Sequence, residues 1–247
     1  MQVKDLLCRY QVKYLRGRRW PQGGQRSSSA LAATFFYLSR NKEAYEKVAT
    51  EVCTVFTSSS EIRSGTGMSN CTYLRAAINE AMRLSLVVAQ PLWRVVEKGG
   101  ASIAGQYIPA GINVGAGIYS LHHNSSIFSS PYAYDIKRWV INKKKDVEEE
   151  TQRIRECQSS FAPFSTAPRQ CIVRNFAMME LMLRMTNMIW RMDFENVGVL
   201  GEGDKSMGLG RERKGGFQLE SFFTSHREGR TIKFRRRDGA MESICNV

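Results

Sequence analysis

Residues 160–185 read "SFAPFSTAPRQCIVRNFAMMELMLRM", and the change of character at Cys171 governs how the rest of the chain is read. Before it lies a loop with two prolines, Pro163 and Pro168, and one arginine, Arg169. After it the residues favour helix and are rich in Met and Leu. A cysteine at such a junction sits near the positive end of a helix dipole and near a guanidinium. Both favour the thiolate.

A thiolate in that position has three common uses: nucleophile, zinc ligand, or axial ligand to haem iron. The six cysteines, Cys8, Cys53, Cys71, Cys157, Cys171 and Cys245, contain no C-x-x-C pair, and the chain has three histidines. That argues against a structural zinc site. Scattered cysteines and no secretory signal predict reduced thiols. No run of about 18 or more apolar residues predicts a membrane span. The 247 residues suffice for one large domain or two small ones, and a 43% apolar content supplies a core. The net charge of +13 is concentrated in part at 16–19 ("RGRR"), 143–145 ("KKK") and 235–237 ("RRR"). Such clusters suit an acidic protein, a membrane surface or nucleic acid, or are simply solvated loops and tails.

Working outward from Cys171, periodicity predicts four helices and a small sheet. "SSSALAATFFYLSR" (27–40) is apolar nearly all round, as a buried helix is. "KEAYEKVATEVCTVF" (42–56) is amphipathic. "CTYLRAAINEAMRLS" (71–85) places Leu74, Ala77, Ile78, Ala81 and Met82 on one stripe, with Arg75, Asn79, Glu80 and Arg83 opposite. Residues 91–120, rich in Val, Ile, Tyr and Gly, predict a small antiparallel sheet with Gly99–Gly100 as its hairpin turn. Residues 122–160 read as irregular, with "KKKDVEEE" (143–150) exposed. The last helix runs from Cys171 to about Met192, and "FQLESFFTS" (217–225) reads as a hairpin. The fold class is mainly α with small antiparallel β-sheets.

Phe164 to Val173, "FSTAPRQCIV", resembles the haem-binding loop of the cytochrome P-450 family, the haem-thiolate monooxygenases, in its fungal type. The family pattern is F-x-x-G-x-R-x-C-x-G. Phe164, Arg169 and Cys171 match it, while Ala167 and Val173 replace the glycines. "RNFAMMEL" (174–181) is similar to the helix behind the haem. The resemblance implies haem b bound through the Cys171 thiolate, Arg169 and Arg94 on its propionates, and Phe164 beside the sulfur. Glu80 and Arg83 match the family's E-x-x-R pair, and "DIKRWV" supplies Arg138, implying a buried Glu80–Arg83–Arg138 network. His122, in "YSLHHN", matches a structural turn histidine.

The resemblance runs from about residue 27 to 237 and covers the C-terminal half of the family fold. It makes 27–247 a truncated haem-binding domain and 1–26 a basic leader outside the pattern, as a misassembled reading frame would give. The acid–alcohol pair that delivers protons in the family is replaced by Gln25 and Arg26. The implied activity is insertion of one oxygen atom from O₂ into an apolar small molecule, with electrons from an NADPH-dependent flavoprotein reductase. The family's usual place is the cytosolic face of the endoplasmic reticulum; without an anchor this sequence is expected to be cytoplasmic or membrane-peripheral. Two alternatives are a degenerate, non-catalytic haem-binding fragment and a basic nucleic-acid-binding protein without cofactor. No recognition motif supports the latter, so no nucleic-acid partner is expected. Two costs are anticipated: strain of about 1–2 kcal/mol if Ala167 takes positive φ, and crowding of the porphyrin by Val173.

Overall fold

A computed structural model describes residues 22–88, 90–196, 215–217 and 232–237, the side chains of 22–26 and 167 apart. The helices are α1 (Gln22–Leu38), α2 (Lys42–Val55), α3 (Thr66–Asn70), α4 (Thr72–Leu84), α5 (Ile118–His122), α6 (Val147–Ser159) and α7 (Arg174–Arg191). The strands are β1 (Arg94–Val95), β2 (Ala101–Ile103), β3 (Gln106–Ile108), β4 (Asn113–Val114), β5 (Met192–Asn196) and β6 (Ile232–Arg236). They pair as three two-stranded antiparallel sheets: β1 with β4, β2 with β3, and β5 with β6. Short 3₁₀ turns occupy Ser59–Glu61, Ile136–Trp139 and Ala167–Arg169.

Helix α4 is the inner element. Leu74, Ala77, Ile78 and Ala81 have no exposed surface. Its alanines let α1, α2 and α7 approach closely, and the turn Ile136–Trp139 closes the remaining side. Helix α1 earns its nearly all-apolar sequence: Ala33, Phe36 and Leu38 are enclosed, and Thr34 satisfies its hydroxyl by donating to the Ala30 carbonyl at 2.8 Å. Helix α7 brings Leu181, Met182, Met185 and Ile189 to the same core. Burying a side chain of this size contributes about 1.5–3 kcal/mol.

The start of α4 is capped from outside. Its N-cap is Cys71, whose side chain makes no cap bond. Glu51 of α2 instead accepts from the Thr72 hydroxyl (3.0 Å) and from the backbone N–H of Tyr73 (2.8 Å) and Leu74 (2.9 Å). Two of the helix's orphan donors are thereby satisfied by a neighbouring carboxylate, which also suits the positive end of the helix dipole.

Strand β5 leaves α7 and pairs with β6, and Arg237 follows. Arg237 donates from Nη2 to Asp193 at 2.7 Å and to the Tyr45 hydroxyl at 3.0 Å, while Tyr45 donates to Asp193 at 2.6 Å. Burial beside that carboxylate pushes the Tyr45 hydroxyl up to about 12. Phe35, Phe194 and Phe234 meet edge-on and tilted behind this triad.

Several local expectations change. The 91–120 region is two separate strand pairs rather than one sheet. Its tight hairpin turn is Ala104–Gly105, not Gly99–Gly100: both have positive φ, 50° and 80°, as a two-residue turn between twisted strands requires. Residues 118–122 are helical. The charged segment read as irregular holds α6, begun by Asp146, which accepts from Glu149 N–H at 3.0 Å, with Glu148, Glu149 and Glu150 in the first turn. Those charges are a helix start signal, and the weak apolar stripe hid it. Helix α1 begins at Gln22, so residues 22–26 of the expected leader are helical. Residues 1–21 and most of the 217–225 hairpin lie outside the described residues.

Glu51→Ala is expected to lower unfolding free energy by about 1–2 kcal/mol, the usual cost of a lost cap. Urea unfolding should show a lower midpoint at unchanged slope. Thr54→Ala, one turn away on the exposed side of α2, should leave the midpoint unchanged.

Candidate functional site

Glu80 projects from α4 with no exposed surface. Its carboxylate accepts from Arg83 Nε (2.9 Å) and Nη2 (2.8 Å), Arg138 Nε (3.1 Å), Trp139 Nε1 (2.9 Å) and Asp135 N–H (3.2 Å). The three-residue spacing puts Glu80 and Arg83 on one helix face, and the turn Ile136–Trp139 brings Arg138 over them. One negative charge is thus matched against two positive ones. Backbone carbonyls take up the excess: Arg83 donates to His122 (2.8 Å), Pro131 (2.6 Å) and Ala133 (3.2 Å), and Arg138 to Ser130 (2.9 Å). The Arg83 guanidinium also lies over the enclosed Phe128 ring, 5.0 Å from its centroid. The structure therefore brings Glu80, Arg83 and Arg138 together.

The network extends in two directions. Outward, Arg153 of α6 donates to the backbone carbonyls of Arg138 (2.9 Å), Lys137 (3.3 Å) and Val140 (3.4 Å) and pairs with Glu150 at 2.8 Å. That pairing holds the Glu150 carboxyl down at about 2. Inward, it reaches the loop before Cys171. Trp139, bonded to Glu80, packs on Phe161 at 4.7 Å between ring centroids, and His122 stacks on Phe161 at 5.3 Å. His122 Nε2 accepts the Ala162 N–H at 2.9 Å. Burial, with Arg83 and His123 nearby, lowers the His122 imidazole to about 4, so it is neutral and carries its proton on Nδ1.

From Ala162 the loop closes on itself. Ser165 N–H donates to Ala162 C=O (3.0 Å) and Cys171 N–H to Phe164 C=O (2.9 Å). The closure places Ser165 at φ 63°, in the left-handed region. Ala167, expected to carry that strain, sits in the 3₁₀ turn Ala167–Arg169 without positive φ. The strain falls at Ser165 because the chain reverses there, after Pro163, before the prolyl turn begins.

Beyond the loop lies a cavity of about 560 Å³. Met82, Val87, Leu92, Ile118, Phe164 and Leu181 supply apolar wall, and Cys171 and Arg169 border it. Ser27 and Ala30 of α1 also line it. Cys171 is half-buried, Arg169 is exposed, and Phe164 packs against the main core. Val173, the N-cap of α7, lines the cavity and is about half exposed, at 53%. Arg94 stands apart: it is exposed on β1 and donates to the carbonyls of Trp93 (2.9 Å) and Leu92 (3.4 Å), outside the cavity wall. Gln25 and Arg26 lie on α1, and their side chains are outside the described residues. Trp139, Phe161 and Ala162 were not singled out as site residues from sequence; the Trp directly after Arg138 was the available signal.

The cavity thus brings together one thiol, Cys171, one guanidinium, Arg169, one carboxyl, Glu180, and mainly apolar walls. Among the described residues, no group of three or more Cys, His, Asp or Glu could hold a metal ion by itself. No described helix is long and apolar enough to cross a membrane.

Comparison with known proteins accords with these features. The chain is 40% identical over 218 residues to the cytochrome P-450 monooxygenase apf8 of Gibberella fujikuroi, covering 87% of this chain and 57% of the relative. It is 36% identical over 225 residues to a cytochrome P-450 monooxygenase of Gibberella zeae, covering 90% and 50%. It is 36% identical over 214 residues to the cytochrome P-450 monooxygenase poxM of Penicillium oxalicum, covering 87% and 38%. The chain thus spans about half the length of the curated relatives it matches. Residues 23–214 match the family model for cytochrome P-450, and the chain belongs to the cytochrome P-450 family, whose members use haem.

Proposed function

We propose that Cys171, as a thiolate, would hold the iron of a haem b in the cavity, within a monooxygenase acting on an apolar small molecule. One observation carries the reading: Cys171 and Arg169 border the same mainly apolar cavity, which at about 560 Å³ has the size of ordinary ligand and cofactor sites, roughly 300–1,000 Å³. The donor set fits the group. A soft sulfur suits iron, a guanidinium suits a carboxylate edge, and aliphatic walls suit a porphyrin face. When bound, the haem supplies oxygen activation, which a thiolate ligand directs toward O–O cleavage.

The chain's own residues have separate tasks in this reading. The hydrogen bond from the Cys171 N–H to the Phe164 carbonyl fixes the backbone that carries the sulfur. Phe164, packed against the core, keeps water from that side. Arg169 takes a propionate; Arg94, exposed on β1, donates to the carbonyls of Leu92 and Trp93 and would have to leave them to do the same. The Glu80 network positions the loop through Trp139, Phe161 and His122. Gln25 and Arg26 offer neither a carboxyl nor a hydroxyl, so proton delivery by that pair is absent and turnover is expected to be slow or poorly coupled. Loss of general acid–base assistance costs typically about 10²–10⁴-fold. The names of the relatives support the monooxygenase class. Electrons are proposed to come from an acidic, NADPH-dependent flavoprotein reductase docking beside α7. Arg174 there is exposed, whereas Arg184 is paired with Glu180 at 2.8 Å.

An absorbance spectrum of the reduced, carbon monoxide-treated protein tests the thiolate. A Soret band shifted far to the red is expected, lost in Cys171→Ala and retained in Cys53→Ala and Cys157→Ala. Retention of the band in Cys171→Ala would overturn the reading.

Glu80→Ala strips the partner from two buried guanidinium groups, a change that typically costs about 3–5 kcal/mol. The variant should be insoluble or lose bound haem, and thermal melting should show it. A soluble variant with unchanged melting would mean the network is dispensable.

Reductase binding should weaken steeply as salt rises through the physiological range, because exposed charges are screened over about 8 Å there. Titration of the reductase against wild type and Arg174→Glu measures this. Salt-independent binding, equal in both proteins, would remove the electrostatic docking.

A further inference from the structure

His122 occupies a junction. Its carbonyl accepts from Arg83 of α4 at 2.8 Å, and its ring nitrogen Nε2 accepts from the backbone N–H of Ala162 at 2.9 Å. The residue has no exposed surface. It therefore ties the buried ion network on one side to the first residue of the Cys171 loop on the other. Ala162 in turn accepts from Ser165, where the loop reverses at positive φ. A polar connection from Glu80 to the loop thus runs through the His122 Nε2 acceptor, alongside the ring packing of Trp139 on Phe161.

We infer that His122 is a positioning residue, a neutral acceptor that latches the Cys171 loop to the Glu80–Arg83 network and releases the loop when it takes up a proton. Protonation puts an N–H on Nε2, facing the Ala162 N–H at hydrogen-bond distance. Two donors then oppose one another with no water between them. The new charge also lies near the Arg83 guanidinium from α4 and the titratable ring of His123, the residue that caps the end of α5. Glu80 is the carboxylate of this cluster, and its oxygens are already taken by Arg83, Arg138, Trp139 and Asp135. Phe161, stacked on the ring, offers no charge. Nδ1 is buried and makes no hydrogen bond among the described residues.

The sign follows from linkage. The folded imidazole titrates at about 4 against an ordinary 6.5, so the latched form resists protonation. Its contribution is complete above pH 6.5 and is lost as pH falls toward 4. If the ring regains its ordinary value when the loop opens, opening becomes about 30-fold more frequent at pH 5 than at pH 7.5.

Two readouts test the inference, and only the second rests on the haem–Cys171 reading. The first is hydrogen exchange at the Ala162 amide in the unliganded chain, expressed as a protection factor so that intrinsic pH effects cancel. Protection should fall about 30-fold from pH 7.5 to 5 in wild type. It should stay flat in His122→Gln, whose amide oxygen accepts without titrating, and be low at all pH in His122→Leu. The second is the thiolate spectrum of the haem-loaded protein, which should decay over the same interval in wild type but not in His122→Gln. An equal acid loss of Ala162 protection in wild type and His122→Gln overturns the latch. Flat protection in wild type does so as well. A missing thiolate spectrum at every pH, with the amide behaving as described, overturns the haem reading and leaves the latch standing.

Discussion

The carboxylate of Glu80 is the point on which this structure turns. It is fully enclosed, and a lone buried carboxylate costs several kcal/mol, so it is tolerated only because five N–H groups converge on it. Those donors come from α4 itself and from a turn more than fifty residues later. Satisfying Glu80 therefore dictates where the 135–139 segment lies. The leftover positive charge of Arg83 and Arg138 then dictates where four backbone carbonyls point, which shapes an irregular stretch that has little apolar burial of its own. Arg153 repeats the device from outside, clamping three carbonyls of the same stretch. A segment with poor intrinsic structure is held by charge-assisted hydrogen bonds rather than by a sheet or helix.

The same network supplies the mechanical ground for the loop of Cys171. Trp139 and His122, each tied to it, flank Phe161 and Ala162, and the loop begins there. The loop closes through the Phe164–Cys171 bond and ends where α7 begins. Its strain is placed at Ser165. Left-handed backbone at a non-glycine residue costs roughly 1–2 kcal/mol, a cost the anchored ends of the loop offset. The cavity beside it is formed by residues from α1, α4, α5 and α7, so a thiol, a guanidinium and apolar walls meet only after these helices have packed.

The basic clusters illustrate why net charge is a poor guide to surface. Of the run at 235–237, Arg237 is buried and completes a triad with Asp193 and Tyr45. Lys145 of the second run lies 3.8 Å from Glu150. Arg184 is matched by Glu180 on its own helix. Part of the excess positive charge is thus buried, as at Arg237, and part is matched by carboxylates at the surface, as at Lys145 and Arg184.

Sequence alone determined the helices with an apolar stripe, α1, α2, α4 and α7, because burial of one face leaves a period that needs no other information. It also determined the family, because the spacing of Phe164, Arg169 and Cys171 before a helix is a local pattern. Helix α6 was legible only in its charges, since Glu150 and Cys157 are its only buried residues, and the strand pairs were legible as strand-forming composition but not as pairings. What only the tertiary structure decided was the partners across distance: Glu51 capping α4, Trp139 on Glu80, and His122 on Ala162. Hydrogen-bond partners far apart in sequence leave no period and no spacing. They are chosen by which backbone groups remain unsatisfied once the helices have packed.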